Sequence, residues 1–217
     1  MESEDKKDQI KAVVKRPVQL DQITSPTVSM VGEYKLVKLL GKGSFGHVYL
    51  GNTTFMNRSD HPIGNNKAGK QVAIKEIKIS GMEAKDKKKV FNEIKILKDV
   101  KHPNIIELYE VIETPGAICI VMEYCQGGDL YQYLKEKKQL DENEVQDIVH
   151  QVAQGLKEMY KKDIMHRDIK LQNLLRSDDS PSCTIKIADF GLARYAVDYA
   201  STICGTLPYM APEMLKG

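Results

Sequence analysis

The sequence predicts an α+β fold: a mostly antiparallel sheet with one helix inserted, followed by a helical half. Three observations carry that reading. Apolar and polar residues alternate on both sides of a glycine cluster in "YKLVKLLGKGSFGHVYLG", which makes two strands joined by a glycine-rich turn. Three more β-branched apolar runs, "QVAIKEIKI", "HPNIIELYEVIE" and "AICIVMEYC", surround "AKDKKKVFNEIKILKDV", where Val90, Ile94, Leu97 and Val100 recur at helical spacing. The clearest helix is "LDENEVQDIVHQVAQGLKEMY", with Val145, Ile148, Val149, Val152, Leu156 and Met159 on one face.

Residues 1–31 are polar, lack sustained periodicity and are broken by Pro17 and Pro26, so they read as a flexible N-terminal tail. "NTTFMNRSDHPIGNNKAGK" reads as a long hairpin loop, tolerable because closure entropy grows slowly with length. Lys85, Lys87, Lys88 and Lys89 make a solvated helix start. Pro115 and Gly116 separate the last two strands, and "QGGDLYQYLKEKKQ" opens the helical half. Asp141 can cap the long helix with Glu144 reaching back, and Leu140 can staple onto Val145. That helix is read as a core helix without chemistry. A polar loop, "RSDDSPSC", precedes the short strand "TIKIAD".

With 217 residues the chain has room for one large domain or two small ones. Lys+Arg at 32 against Asp+Glu at 30 lacks the basic excess of a typical nucleic-acid binder. No apolar run reaches the length of a membrane span, and the first residues carry neither a secretory apolar core nor the Gly that myristoylation needs. Cys119, Cys125, Cys183 and Cys204 have neither zinc nor CxxC spacing and read as buried free thiols. The expected location is cytoplasmic.

The chemistry concentrates in "IMHRDIKLQNLLR", residues 164–176, where His166, Arg167, Asp168, Lys170 and Asn173 alternate with Ile and Leu. Such a run suits a loop pinned to the core so that polar groups stay fixed, as a phosphate- or metal-handling site requires. Gly41-x-Gly43-x-x-Gly46 admits three nucleotide readings. A dinucleotide turn needs a helix after the last glycine, but His47–Gly51 continues as a strand. A Walker loop needs Gly-Lys-Ser/Thr, but Lys42 is followed by Gly43. The survivor is a glycine hairpin lying over phosphates. That arrangement asks for a lysine on the third strand and an acid on the next helix; Lys75 ends "VAIK", and Glu93 shares a helix face with Leu97.

Together with Asp189-Phe190-Gly191 and Ala211-Pro212-Glu213, these motifs resemble the full signature set of the eukaryotic protein kinases, from Tyr34 to the end of the chain. The resemblance implies a two-lobed fold, with an N-lobe over 32–125 and an incomplete helical C-lobe over 126–217. It implies ATP- and Mg2+-dependent transfer of the γ-phosphate to Ser/Thr hydroxyls of a protein substrate. On the same resemblance Asp168 orients the substrate hydroxyl and accepts its proton, Lys170 offsets γ-phosphate charge, and Asn173 and Asp189 hold magnesium. Lys75 would reach the α- and β-phosphates, positioned by Glu93, under the backbone of Gly41, Gly43 and Gly46. Val48, Ala73 and Leu175 would sandwich adenine, the Glu123 and Cys125 backbones would bond it, and Asp129 would meet the ribose. Met122 falls at the gatekeeper position, and His166 resembles a spine residue packed on Phe190. Lys170 and Thr206 resemble the Ser/Thr-kinase pattern. Arg167 would pair with a phosphate added at Thr202 or Ser201, which implies an upstream activating kinase. "KIADFGLAR" and "CGTLPYMAPE" look most like the autophagy-initiating kinase group.

Kinases of this family continue with further helices beyond the point where this sequence reaches Gly217. The expectation is a long helix with less to pack on, apolar exposure that favours instability or association, and a solvated Glu213. The alternative function is therefore a catalytically silent fragment that binds nucleotide or a partner. No nucleic-acid partner and no membrane span are expected.

Overall fold

The computed structural model describes residues 29–43, 46–54, 63, 68–196 and 204–212. Thr202, Ser201, Glu213 and most of the expected tail lie outside the described residues. The chain packs as two units, residues 1–83 with 108–124, and residues 84–107 with 125–217.

The first unit is an antiparallel sheet of six strands among the described residues. They are β1 (Met30–Val31), β2 (Tyr34–Gly43), β3 (Gly46–Thr53), β4 (Gln71–Lys78), β5 (Leu108–Thr114) and β6 (Ala117–Glu123), in the order β1-β2-β3-β4-β6-β5. The α+β reading of the sequence agrees with this sheet and the helices of the second unit. Period-two alternation places Val72 and Ile74 in a cluster with Val31, Tyr34, Ile112, Cys119 and Val121. Inside it the Tyr34 hydroxyl donates to the Glu110 carboxylate. Burial, then that carboxylate, push the Tyr34 hydroxyl pKa up and keep it protonated.

One expected boundary moves. The tail does not extend through Val31: Met30 and Val31 pair with Lys35 and Tyr34 across a turn at Gly32. Gly32 sits at φ 56°, which a side chain adopts only with strain, so one glycine turns the last residues of the supposed tail into an edge strand. Within the long hairpin loop, Ile63 is buried in the same cluster.

The second unit holds α1 (Ala84–Asp99), α2 (Leu130–Lys137), α3 (Glu142–Lys161) and two small ribbons. One ribbon pairs β7 (Ile164–Met165) with β10 (Arg194–Tyr195); the other pairs β8 (Leu174–Arg176) with β9 (Ile185–Ile187). Helix α1 buries Val90, Glu93, Ile94, Ile96 and Leu97, so its apolar stripe carries one acid inward. Asp129 and Asp141 cap α2 and α3, accepting from Gln132 N and Glu144 N at 2.9 Å. The expected capping box on α3 forms by half. The Glu144 carboxylate accepts from the Tyr133 hydroxyl at 2.7 Å and from Lys137, and so is turned to α2.

Helix α3 departs from the core helix that its stripe suggested and shows the apolar exposure expected of a helix with less to pack on. Only Gly155 and Met159 are buried along it, while Val145 and Val149 are 42% and 60% exposed. With Leu130, Leu134, Leu156 and Leu171 they line an open groove of about 370 Å³. The opposite side of α3 is tied down by polar bonds: Gln151 Oε1 accepts from Asn104 Nδ2 at 2.9 Å and from Ile185 N at 2.8 Å. The segment after α1 and strand β9 are thereby fixed to one helix.

Candidate active site

In the first unit, β3 and β4 carry the residues assigned to nucleotide. Val48 lies opposite Lys75, and Ala73 lies between Leu50 and Met122. Glu123 closes β6 opposite Val72. The glycines have different local reasons. A Cβ on Gly46 would lie 1.8 Å from the Glu76 carbonyl oxygen, so the pairing of β3 with β4 itself requires a glycine. A Cβ on Gly41 would meet nothing within 4 Å, so that backbone faces open space, as a phosphate cradle needs.

In the second unit, β7 delivers the chain to His166. Its Nε2 is 3.0 Å from the Ala188 carbonyl oxygen, and its ring meets the edge of Phe190 at 5.0 Å. Burial pushes the His166 pKa down, which favours a neutral packed imidazole. Arg167 follows at φ 66°, and its Nε donates to the Leu192 carbonyl oxygen at 2.8 Å. A single turn at Leu171–Asn173 then leads into β8, with Asn173 and Leu174 buried. Of the apolar residues expected to pin the loop, Ile164 and Leu174 are buried, and His166 packs on Phe190 as the resemblance implied.

Asp168 is the centre of the polar groups. Oδ1 accepts from the Thr206 hydroxyl at 2.6 Å, and Oδ2 accepts from Lys170 Nζ at 2.8 Å and Asn173 Nδ2 at 3.0 Å. Lys170 Nζ also donates to Thr206 Oγ1 at 2.9 Å, so the three side chains close a ring. Burial pushes the Asp168 carboxyl up, but the hydrogen bonds from Lys170 and Thr206 and the Lys170 charge outweigh it. The net pKa lies below the usual aspartate value.

Asp189 is exposed and stands at φ 60°, ψ 77°. Left-handed backbone at a residue other than glycine is strain that clusters at functional sites. Asn173 Nδ2 also donates to the Asp168 carbonyl oxygen at 2.8 Å, which leaves Asn173 Oδ1 as the atom able to accept a cation. The Asn173 amide oxygen and the Asp189 carboxylate are hard oxygens, and they fit magnesium, which takes one or two protein oxygens beside phosphate and water. Glu93 is buried, and its Oε2 lies 3.8 Å from where a Cβ on Gly191 would stand.

Leu175 bridges to Asp129, and the buried Cys125 precedes a segment whose Gln126 and Gly127 amides donate to Ser177 and Arg176 carbonyls. Sequence reasoning took Thr206 only as a mark of substrate class and missed it as a partner of Asp168. No local signal could have found it, since 38 residues separate them. The Asn104–Gln151 tie was missed for the same reason.

An aspartate held by three donors, and an exposed left-handed aspartate in the same unit, are the kind of oxygens that phosphate chemistry uses. Residues 34–217 match the protein kinase domain family, and the chain belongs to it. Among its relatives it is 42% identical over 195 residues to the serine/threonine-protein kinase unc-51 of Caenorhabditis elegans, an alignment covering 84% of this chain and 21% of the relative. It is 39% identical over 189 residues to the serine/threonine-protein kinase ATG1b of Arabidopsis thaliana, covering 86% and 25%. It is 40% identical over 193 residues to the serine/threonine-protein kinase atg1 of Dictyostelium discoideum, covering 85% and 27%. The chain thus spans about a quarter of the length of these relatives. No described helix is long and apolar enough to cross a membrane.

Proposed function

We propose that the chain is a protein serine/threonine kinase domain that transfers the γ-phosphate of ATP to a Ser or Thr hydroxyl of a protein substrate. The observation that carries this is the ring of Asp168, Lys170 and Thr206 with Asn173 beneath it. An ionised carboxylate fixed by three donors can orient a hydroxyl for in-line attack. The new O–P bond forms as the bond from the γ-phosphorus to the bridging oxygen breaks, ADP leaves, and Asp168 takes the hydroxyl proton. Lys170, already beside that carboxylate, supplies positive charge for the transferring group. Magnesium supplies neutralisation of phosphate charge, and Asn173 and Asp189 are the residues that would hold it. Gly41, Gly43, Gly46, Val48, Ala73, Lys75, Glu123, Cys125, Asp129 and Leu175 are assigned to ATP, and Glu93 to positioning, by resemblance. Activation through a phosphate at Thr202 or Ser201, and a place in autophagy initiation, are supported by the family pattern and the ATG1-type relatives.

The second reading, a silent domain that binds nucleotide or a partner, draws on the open apolar face of α3. One experiment separates the two: a thermal melt titrated with ATP and magnesium, with Asp189→Ala as control and transfer to a generic Ser-containing peptide read in the same samples. A magnesium-dependent melt shift lost in the variant, with transfer above the variant's level, supports the kinase. The same shift without transfer supports the silent nucleotide-binding domain, and no shift overturns the kinase and nucleotide binding together, leaving the partner-binding form.

A further inference from the structure

Helix α1 grips the segment that follows Asp189. Asn92 Nδ2 donates to the Ala193 carbonyl oxygen at 3.0 Å, Lys95 Nζ lies 4.4 Å from the centroid of the Tyr195 ring, and the Asp99 carboxylate accepts from the Tyr195 hydroxyl. Residues spaced three and four apart share a helix face, so Asn92, Lys95 and Asp99 form one stripe. The gripped strand is held on its other side by backbone. Arg194 and Tyr195 pair with Met165 and Ile164, and Ala196 N donates to the Asp163 carbonyl oxygen at 2.7 Å. Since β7 leads directly into His166–Asp168, Tyr195 joins helix α1 to the strand that feeds the catalytic loop.

The same helix carries Glu93, next to Asn92. Glu93 Oε2 and Asp189 Oδ1 lie 3.8 Å and 3.4 Å from the point where a Cβ on Gly191 would stand. The Tyr195 contacts lie on this same helix, at the far end from its basic start.

We propose that Tyr195 is a positioning residue, seating helix α1 on the Phe190–Tyr195 segment through Asp99 and Lys95, and so placing Glu93 and Asp189 for phosphoryl transfer. This inference rests on the kinase reading above. The hydroxyl–carboxylate contact is exposed, and a solvated contact of this kind adds little to global stability. Its loss should appear in helix seating and turnover rather than in melting.

The test uses the full chain with Tyr195→Phe, Asp99→Ala, their double variant and Asp99→Asn, whose amide oxygen still accepts from the hydroxyl. Steady-state transfer to the Ser-containing peptide, thermal midpoint with and without magnesium–ATP, and hydrogen exchange of residues 84–99 are read together. Tyr195→Phe and Asp99→Ala should each lower kcat by about two- to tenfold, the range that one net hydrogen bond spans. Peptide KM and the thermal midpoint should hold, and exchange across α1 should speed up. The double variant should be no worse than either single, and Asp99→Asn should recover wild-type values. Unchanged kcat and exchange in Tyr195→Phe, or additive losses in the double variant, would overturn the inference. A wild type without a magnesium–ATP melt shift would overturn the kinase reading instead. Exchange alone then decides the seating role of Tyr195, and unchanged exchange overturns it.

Discussion

Thr206→Val is the sharpest perturbation of the proposed chemistry, because valine keeps the shape and removes only the hydroxyl. That hydroxyl donates to Asp168 Oδ1 at 2.6 Å and accepts from Lys170 Nζ at 2.9 Å. Hydrogen bonds to a charged group are worth about 1.5–3 kcal/mol, and Asp168 keeps its donors from Lys170 and Asn173, so the lower end applies. About 1.5 kcal/mol at the transition state is roughly tenfold in rate. The assay is transfer to a Ser-containing peptide across pH, with the magnesium–ATP melt shift measured alongside. The expected result is a kcat about tenfold lower with the melt shift unchanged. The acid limb of the rate should also move to higher pH, because removing the Thr206 donor lets burial raise the Asp168 carboxyl again. Stability follows with a fixed sign. A carboxyl depressed in the fold adds stability above its unfolded pKa and loses it as pH falls through the folded value, so the variant should begin to lose it at a higher pH. Wild-type kcat together with an unmoved acid limb would refute the assignment of Asp168 as the proton acceptor.

Three further outcomes test the frame. Gly127→Ala would place a Cβ 2.2 Å from the Asp178 carbonyl oxygen and 2.8 Å from Arg176 Cβ, contacts only the backbone can relieve; a urea melt should show a loss of about 2–3 kcal/mol. Val149→Lys, at a position 60% exposed in the apolar groove, should reduce self-association in light scattering while changing stability by less than about 0.5 kcal/mol. Among the described cysteines Cys204 is the accessible one, while Cys119 is fully buried with its thiol pushed up to about 12 by burial and then by Glu76. Alkylation near neutral pH read by mass spectrometry should mark Cys204 first and leave Cys119 unmodified until the chain unfolds.

What the sequence made legible follows from the range of each signal. Strand alternation and helical periodicity are local, so β2 to β6, α1 and α3 could be placed from residue types alone. The motifs are local too, and Asp168, Lys170 and Asn173 are close in sequence and meet in space. Contacts made between distant segments were not legible. Thr206 reaches Asp168, Gln151 reaches Asn104, and Tyr195 reaches Asp99 across 38, 47 and 96 positions. Ile63 was hidden for a different reason: one apolar residue in a polar loop has no period, so nothing local says that it packs inward. Helix α3 shows the converse. A stripe specifies only that something could cover it, so the core-helix reading came from the stripe and the expected apolar exposure from the family resemblance; Val145 and Val149 facing an open groove agree with the second.

The strained backbone at Asp189 gives a prediction whose sign separates function from stability. At φ 60° the residue occupies a conformation that costs a side-chain-bearing residue about 1–2 kcal/mol and costs glycine little. Glycine also gains unfolded-state entropy worth roughly 0.5–1 kcal/mol against alanine, which works the other way. Comparing Asp189→Gly with Asp189→Ala cancels the lost carboxylate, which both variants lack. If the fold enforces the left-handed conformation, the difference should leave Asp189→Gly more stable by about 0.5–1 kcal/mol. Both variants should have lost the magnesium-dependent melt shift equally. The pins for that enforcement are visible: Ala188 N donates to the Asn173 carbonyl oxygen at 2.9 Å, and Phe190 is buried against His166. An aspartate there trades backbone ease for a carboxylate at that turn, as strained residues at functional sites do. If urea melts rank alanine equal to or above glycine, the backbone is free to leave the left-handed region, and the strain argument for a site at Asp189 fails.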